Sequence, residues 1–152
     1  GGYEIHPKLI KINHKKIKRE KILDTTVSEK IVPILRKIVT TKEGTASLAN
    51  VNGYEIGGKT GTAQKSIAGG YSRKKINTFV SVFPTSKPKF VLAIMLDEPL
   101  TNKDYIYHYR DGFDIKYKGT PYNTSGWTTV EVTGQIVEKI GPILATKYSE
   151  IN

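Results

Sequence analysis

One short stretch of the chain combines residue types that can do chemistry: Gly57-Gly58-Lys59-Thr60-Gly61-Thr62-Ala63. Drawn as a strand, it sends Lys59, Gly61 and Ala63 to one face and Thr60 and Thr62 to the other. Two hydroxyls then line one groove, where they can donate to a carboxylate. Lys59 supplies fixed positive charge beside such an anion. Gly61 removes the side chain that would block its approach. Taken alone, K-T-G reads equally well as a glycine-weakened strand with an exposed lysine.

Other chemistry is poorly provided for. Nucleophilic catalysis of the Ser/Lys kind needs a serine at the start of a buried helix with a lysine one turn later. Two literal S-x-x-K strings occur, Ser72-Arg73-Lys74-Lys75 and Ser86-Lys87-Pro88-Lys89. The first falls in an expected loop and the second carries a proline between two expected strands. Asp97 and Glu98 are neighbours that a strand points to opposite faces, which argues against an acid–base pair. With no cysteine, thiolate and disulfide chemistry are excluded, and His6, His14 and His108 are too scattered for a zinc site. No phosphate loop, dinucleotide fingerprint or HExxH motif is present, so no cofactor is expected.

The net charge of +10 would suit an anionic partner. Much of it lies between Lys8 and Lys21, where Lys11, Lys15, Lys16, Lys18 and Arg19 alternate with Ile10, Ile12 and Ile17. That pattern reads as the solvated side of a strand pair. A single-strand nucleic-acid module adds stacking aromatics, and none stands in the stretch, so no nucleic acid is expected. A basic-patch binder would instead show steeply salt-dependent affinity for DNA. No apolar run approaches the roughly 20 residues needed to span a bilayer.

The elements that must position the Lys59–Thr62 stretch follow from periodicity. At 152 residues and 38% hydrophobic, the chain suits one globular domain. A polar hairpin is expected from Lys8 to Leu23. A helix capped by Ser28 should follow, with Ile31, Ile34, Leu35, Ile38 and Val39 in its apolar stripe and Pro33 in its first turn. Val51 to Gln64 reads as a strand and Ser66 to Lys75 as a loop. Thr78–Phe83 and Phe90–Leu96 read as strands joined by a hairpin connection, the second covered on both faces. Asp97 to Ser125 has no period. A last helix starts at Thr128 with a Thr128–Glu131 capping box, buries Val132, Ile136, Val137 and Ile140, and ends or kinks at Gly141-Pro142. The fold class is α+β, an antiparallel sheet packed against helices.

Several short matches, in order, resemble one family: the C-terminal part of a class B penicillin-binding protein, most closely its division-specific branch. Gly1-Gly2 to Pro7 is similar to N-G-G-x-x-x-x-P, Gly44-Thr45-Ala46 to G-T-A, and Gly58 to Gln64 to G-K-T-G-T-A-Q. Tyr71 follows, and Thr78-Phe79-Val80 with Phe83-Pro84 resembles S-F-V-G-F-x-P. Val91 to Pro99, with Asp97-Glu98-Pro99 intact, resembles V-x-V-x-I-D-E-P. Two stretches depart from the pattern. Thr101 to Tyr122 is longer than expected there, and Thr129-Val130-Glu131 stands where the family often has A-A-P.

The resemblance implies a partial penicillin-binding-protein or β-lactamase-like transpeptidase fold over residues 1–152. Of the family motifs S-x-x-K, S-x-N and K-T-G, only the third is clear here. No S-x-N triplet occurs, and the chain does not begin with Met. The serine nucleophile and the membrane anchor are therefore expected upstream, with this piece alone unable to acylate. By the same resemblance Lys59, Thr60, Gly61 and Thr62 bind a D-Ala-D-Ala stem peptide or a β-lactam. Lys59 and the Thr62 backbone N–H are catalytic, the latter as half of an oxyanion hole. The parent is expected on the periplasmic face of the bacterial inner membrane, working with division proteins. The other open reading is a non-catalytic remnant that recognises a peptide or a division partner.

The tyrosines Tyr105, Tyr107, Tyr109, Tyr117 and Tyr122 are expected mainly to pack a surface loop, and Trp127 to anchor the last helix. A piece lacking part of its sheet exposes an open edge, so a homodimer through that edge is expected.

Overall fold

The computed structural model describes residues 1–10, 19–113, 115–119 and 122–149. Lys11, Lys15, Lys16 and Lys18, the centre of the basic stretch, lie outside the described residues. The expected hairpin thus falls partly outside the described residues, and the chain from Glu20 to Leu23 pairs with the N-terminus, ahead of Lys8. Tyr3 bridges Lys21, and Ile22 N–H donates to Gly2 C=O at 2.8 Å.

Helix α1 spans Thr25–Thr40. Its cap is Asp24, not Ser28: the Asp24 carboxylate accepts from Thr26 N–H at 2.9 Å, as N-cap acids do. Pro33 therefore sits inside the helix, where its missing N–H removes one backbone bond. Only the C-terminal end of the expected apolar stripe is covered. Val39 is buried and Ile38 packs against the core, whereas Ile31 and Ile34 are exposed.

The main sheet has three antiparallel strands in the order β1-β2-β3: β1 Gly57–Ile67, β2 Gly70–Phe83 and β3 Phe90–Asp97. The expected loop from Ser66 to Lys75 is strand on both sides of a tight turn. Gly69 makes that turn with φ of 82°, a conformation glycine adopts without strain. The first strand starts at Gly57, later than predicted, because residues 51–56 form a turn that buries Val51 and Ile56.

Side chains on β2 alternate cleanly. Asn77, Phe79, Ser81 and Phe83 are buried toward the helices, while Val80, on the other face, is half exposed. Across the ladder Val82 pairs with Val91 and Thr78 with Met95. Val91 and Met95 are 74% and 69% exposed, so β3 is covered on one face and not on both. The core is built from Phe79, Val39, Leu48 and Val130 in one cluster and Ile56, Phe83 and Val137 in another.

The stretch without sequence period holds a small antiparallel pair, β4 Ile106–His108 and β5 Lys116–Lys118, and then a 3-10 turn at Ser125–Trp127. Helix α2, Thr129–Ser149, does not end at Gly141-Pro142 but includes Pro142. Its buried face is Val130, Thr133 and Val137, with Ile140 exposed at 36%, so the predicted stripe is rotated.

The expected capping box is not formed. Glu131 turns away from Thr128 and binds Arg110, which reaches both its carboxylate oxygens at 2.8 Å. Tyr105 O–H and Gln135 Nε2 also donate to it. Both side chains of the Arg110–Glu131 pair are nearly fully buried, which ties the β4–β5 segment to α2. Among the described residues no helix is long and apolar enough to cross a membrane.

Candidate functional site

Among the described residues strand β1, which carries the Lys59–Thr62 stretch, lies at an edge of the sheet with β2 as its neighbour. Packing is close at both Gly57 and Gly58. A Cβ at Gly58 would lie 2.6 Å from the Phe79 ring and 2.6 Å from Val80 C=O, so glycine is what lets β1 lie against the core. The pairing register sets Thr60 opposite Phe79 and Thr62 opposite Asn77, both residues of the helix-covered face. Lys59 pairs with Val80 on the open face.

The two threonines do line one groove. Its walls are Thr45, Thr60, Thr62, Thr124, Gly126 and Trp127, and it encloses about 340 Å³. Thr45 comes from the turn after α1, and its Oγ1 lies 2.9 Å from Thr60 Oγ1. The Lys59 ammonium curls back to donate to Thr60 C=O at 2.8 Å and approaches Thr60 Oγ1 at 3.5 Å. A cation and a hydroxyl pair therefore converge at Thr60. That arrangement suits a carboxylate.

Thr62 is held differently. Ser125 N–H donates to Thr62 Oγ1 at 3.0 Å, and the two side-chain oxygens are also 3.0 Å apart. Ser125 further reaches the β1–β2 ladder, accepting from Thr78 N–H at 3.2 Å and donating to Gly61 C=O. The same carbonyl receives Thr78 O–H at 3.3 Å from the other face. Periodicity had no means of finding Ser125, which is 63 residues from Thr62 and belongs to an aperiodic turn.

Trp127 is both anchor and wall. Its ring packs on Tyr107 and Tyr117, each with centroids 5.1 Å away, while it faces Thr60 and Thr62 across the groove. Tyr107 is buried, and Tyr105 and Tyr109 pack against the core, as expected of a packed loop.

The remaining candidates separate from the groove. Asp97 and Glu98 both reach Lys65 at 2.7 Å, because Glu98 leaves the strand with φ of 51°. Glu98 also binds Lys74, and the hydrogen bonds from Lys65 and Lys74 hold its carboxyl below the usual range. It is an anchored carboxylate. Of the two literal S-x-x-K strings, Ser72–Lys75 lies in β2 and Ser86 in the β2–β3 turn, so neither has a lysine one helical turn away. A second, more apolar cavity of about 510 Å³ lies between the end of α1 and the β4–β5 segment, lined by Val39, Tyr109, Phe113, Ile115 and Tyr117 among others. No group of His, Cys, Asp or Glu among the described residues is arranged to hold a metal.

Comparison with known proteins matches residues 1–111 to the penicillin-binding protein transpeptidase domain. A probable peptidoglycan D,D-transpeptidase FtsI of Caulobacter vibrioides is 29% identical over 135 residues, covering 84% of this chain and 20% of that protein. The apo transpeptidase domain of Burkholderia pseudomallei penicillin-binding protein 3 superposes with a TM-score of 0.64 at 26% identity, covering 88% of this chain and 35% of that one. Penicillin-binding protein 3 of Mycobacterium tuberculosis, solved with ampicillin, shares the fold with a TM-score of 0.59 at 23% identity, over 86% of this chain and 27% of its own. The chain thus spans about a fifth to a third of the length of these relatives.

Proposed function

This chain belongs to the penicillin-binding protein transpeptidase family, and from that premise we propose that it is the substrate-binding part of a division-specific peptidoglycan D,D-transpeptidase. The observation that carries the reading is that Thr60 and Thr45 line one groove beside β1 while the Lys59 ammonium, from the other face of the strand, reaches Thr60. A stem peptide ending in D-Ala-D-Ala brings a terminal carboxylate, and a β-lactam brings the same charge. Thr60 O–H, backed by the Lys59 ammonium, receives that carboxylate.

Seated there, the substrate carbonyl lies over β1. A serine nucleophile from an S-x-x-K helix elsewhere in the parent attacks it. The oxyanion that develops is held by the Thr62 N–H and by the nucleophile's own N–H, a donor worth roughly 3 to 4 kcal/mol in acyl transfer. The terminal D-Ala leaves, and the acyl group passes to an amine of a second stem peptide. No step uses a metal or cofactor. The parent works on the periplasmic face of the inner membrane, among division proteins.

A fluorescent penicillin tests the reading. The full-length parent is expected to form a denaturation-stable adduct, and the isolated 152-residue chain none. Thr60→Val in the parent is expected to weaken β-lactam binding about tenfold, as loss of a hydrogen bond to a charged group does. An unlabelled parent overturns the transpeptidase reading in favour of a non-catalytic peptide binder. A labelled isolated chain overturns the placement of the nucleophile.

A further inference from the structure

Ser125 has no side chain exposed to solvent, yet its hydroxyl is engaged on three sides, by Thr62 and Gly61 of the strand that carries the site and by Thr78 of the strand paired with it. A serine hydroxyl has one proton and two lone pairs. The proton goes to Gly61 C=O, since a carbonyl can only accept. The lone pairs must then take Thr78 N–H and, at 3.0 Å, the Thr62 hydroxyl. So Thr62 donates to Ser125, and in return its oxygen accepts Ser125 N–H at 3.0 Å. The only proton of the Thr62 hydroxyl is spent inside the protein.

The carbonyl bond has a second consequence. A trans peptide is planar, with its C=O and N–H pointing in opposite directions. Gly61 C=O faces β2 across the Gly61–Thr78 pair, and it is held there by Ser125 from one face and by Thr78 O–H from the other. The Thr62 N–H of that same peptide must therefore point away from β2. Because β1 is an edge strand among the described residues, that direction is the open side of the sheet.

We infer that Ser125 is a positioning residue for this strand: its hydroxyl, seated at the Gly61–Thr78 rung, aims the Thr62 N–H outward and sequesters the Thr62 hydroxyl. Carboxylate recognition is left to Thr60. The inference rests on the transpeptidase reading for its catalytic consequence, and on hydrogen bonds alone for the geometry.

The test separates binding from acylation in the full-length parent, reading the β-lactam dissociation constant and the maximal acylation rate. Ser125→Ala and the near-isosteric Thr62→Val are each expected to slow acylation about 10- to 100-fold, the cost of a misplaced donor, while changing the dissociation constant less than about twofold. Thr60→Val is expected to do the reverse. Amide hydrogen exchange gives an arm that needs no activity: Thr78 N–H should lose protection in Ser125→Ala while the Phe79 amide keeps its own.

Unchanged Thr78 exchange overturns the inference, whatever the kinetics. So does a Thr62→Val protein whose β-lactam affinity falls as far as that of Thr60→Val. Acylation at the wild-type rate in Ser125→Ala, with Thr78 deprotected, overturns the catalytic role. A wild-type parent that takes up no β-lactam instead overturns the transpeptidase reading and, with it, that catalytic role; the exchange result then decides the geometry alone.

Discussion

Two glycines of β1 look alike in the sequence and do different work. A Cβ at Gly58 would strike the wholly buried Phe79 ring and Val80 C=O, neither of which has room to move. Gly58→Ala is therefore expected to destabilise the fold by about 1–3 kcal/mol, the usual range for overpacking, seen as a lower midpoint in urea. At Gly61 the added Cβ would meet only Thr78 Oγ1, at 2.5 Å. That hydroxyl can rotate away, at the cost of its bond to Gly61 C=O. Gly61→Ala should thus keep nearly the wild-type urea midpoint and lose acylation rate. A large drop in stability at Gly61 would show that the Thr78 hydroxyl is as immovable as the Phe79 ring.

Among the elements, the decisive join is between the β4–β5 segment and α2. Burial alone would raise the Glu131 carboxyl, but hydrogen bonds from Arg110, Gln135 and Tyr105 outweigh it and hold the group below its ordinary value of 4.5. A carboxyl with a depressed folded-state pKa contributes stability that is complete above its unfolded value and lost as pH falls through the folded one. Stability is therefore expected to decline from about pH 4.5 downward, and Glu131→Gln should flatten that decline, as read from urea midpoints across the acid range. Removing one partner outright is harsher. Glu131→Ala leaves the buried Arg110 guanidinium with only the exposed Glu138 carboxylate as its ionic partner, a loss expected to approach the roughly 3–5 kcal/mol typical of breaking a buried pair. Since Tyr107 and Tyr117 hold Trp127 against the groove, loosening this join should also disturb ligand binding.

On the scale of the whole molecule, one face of the sheet is left uncovered by the described residues. Val80, Val91 and Met95 lie on it, and both β1 and β3 are edges. Apolar faces and open edges of this kind invite self-association. The isolated chain is expected to show a weight-average mass that rises with concentration in sedimentation, and Val91→Lys with Met95→Lys should suppress the rise. A constant monomer mass for the unsubstituted chain would exclude it. The α+β class, the strands around Phe79 and Ile94, and the groove shared by Thr60 and Thr62 were all legible from the sequence. They rest on short-range rules, strand alternation and the chemistry of a contiguous motif, that a chain states locally. Sequence rules erred where a distant partner outbid a local one. Glu131 abandons a capping box for Arg110, α2 turns a different face inward, and the Ser66–Lys75 loop becomes ribbon. Ser125 is the extreme case, because its role exists only once chain separated by 63 residues is brought to a single rung of the sheet. The motif determined which groups are present at the site, and tertiary hydrogen bonding decided which proton each of them has left to give.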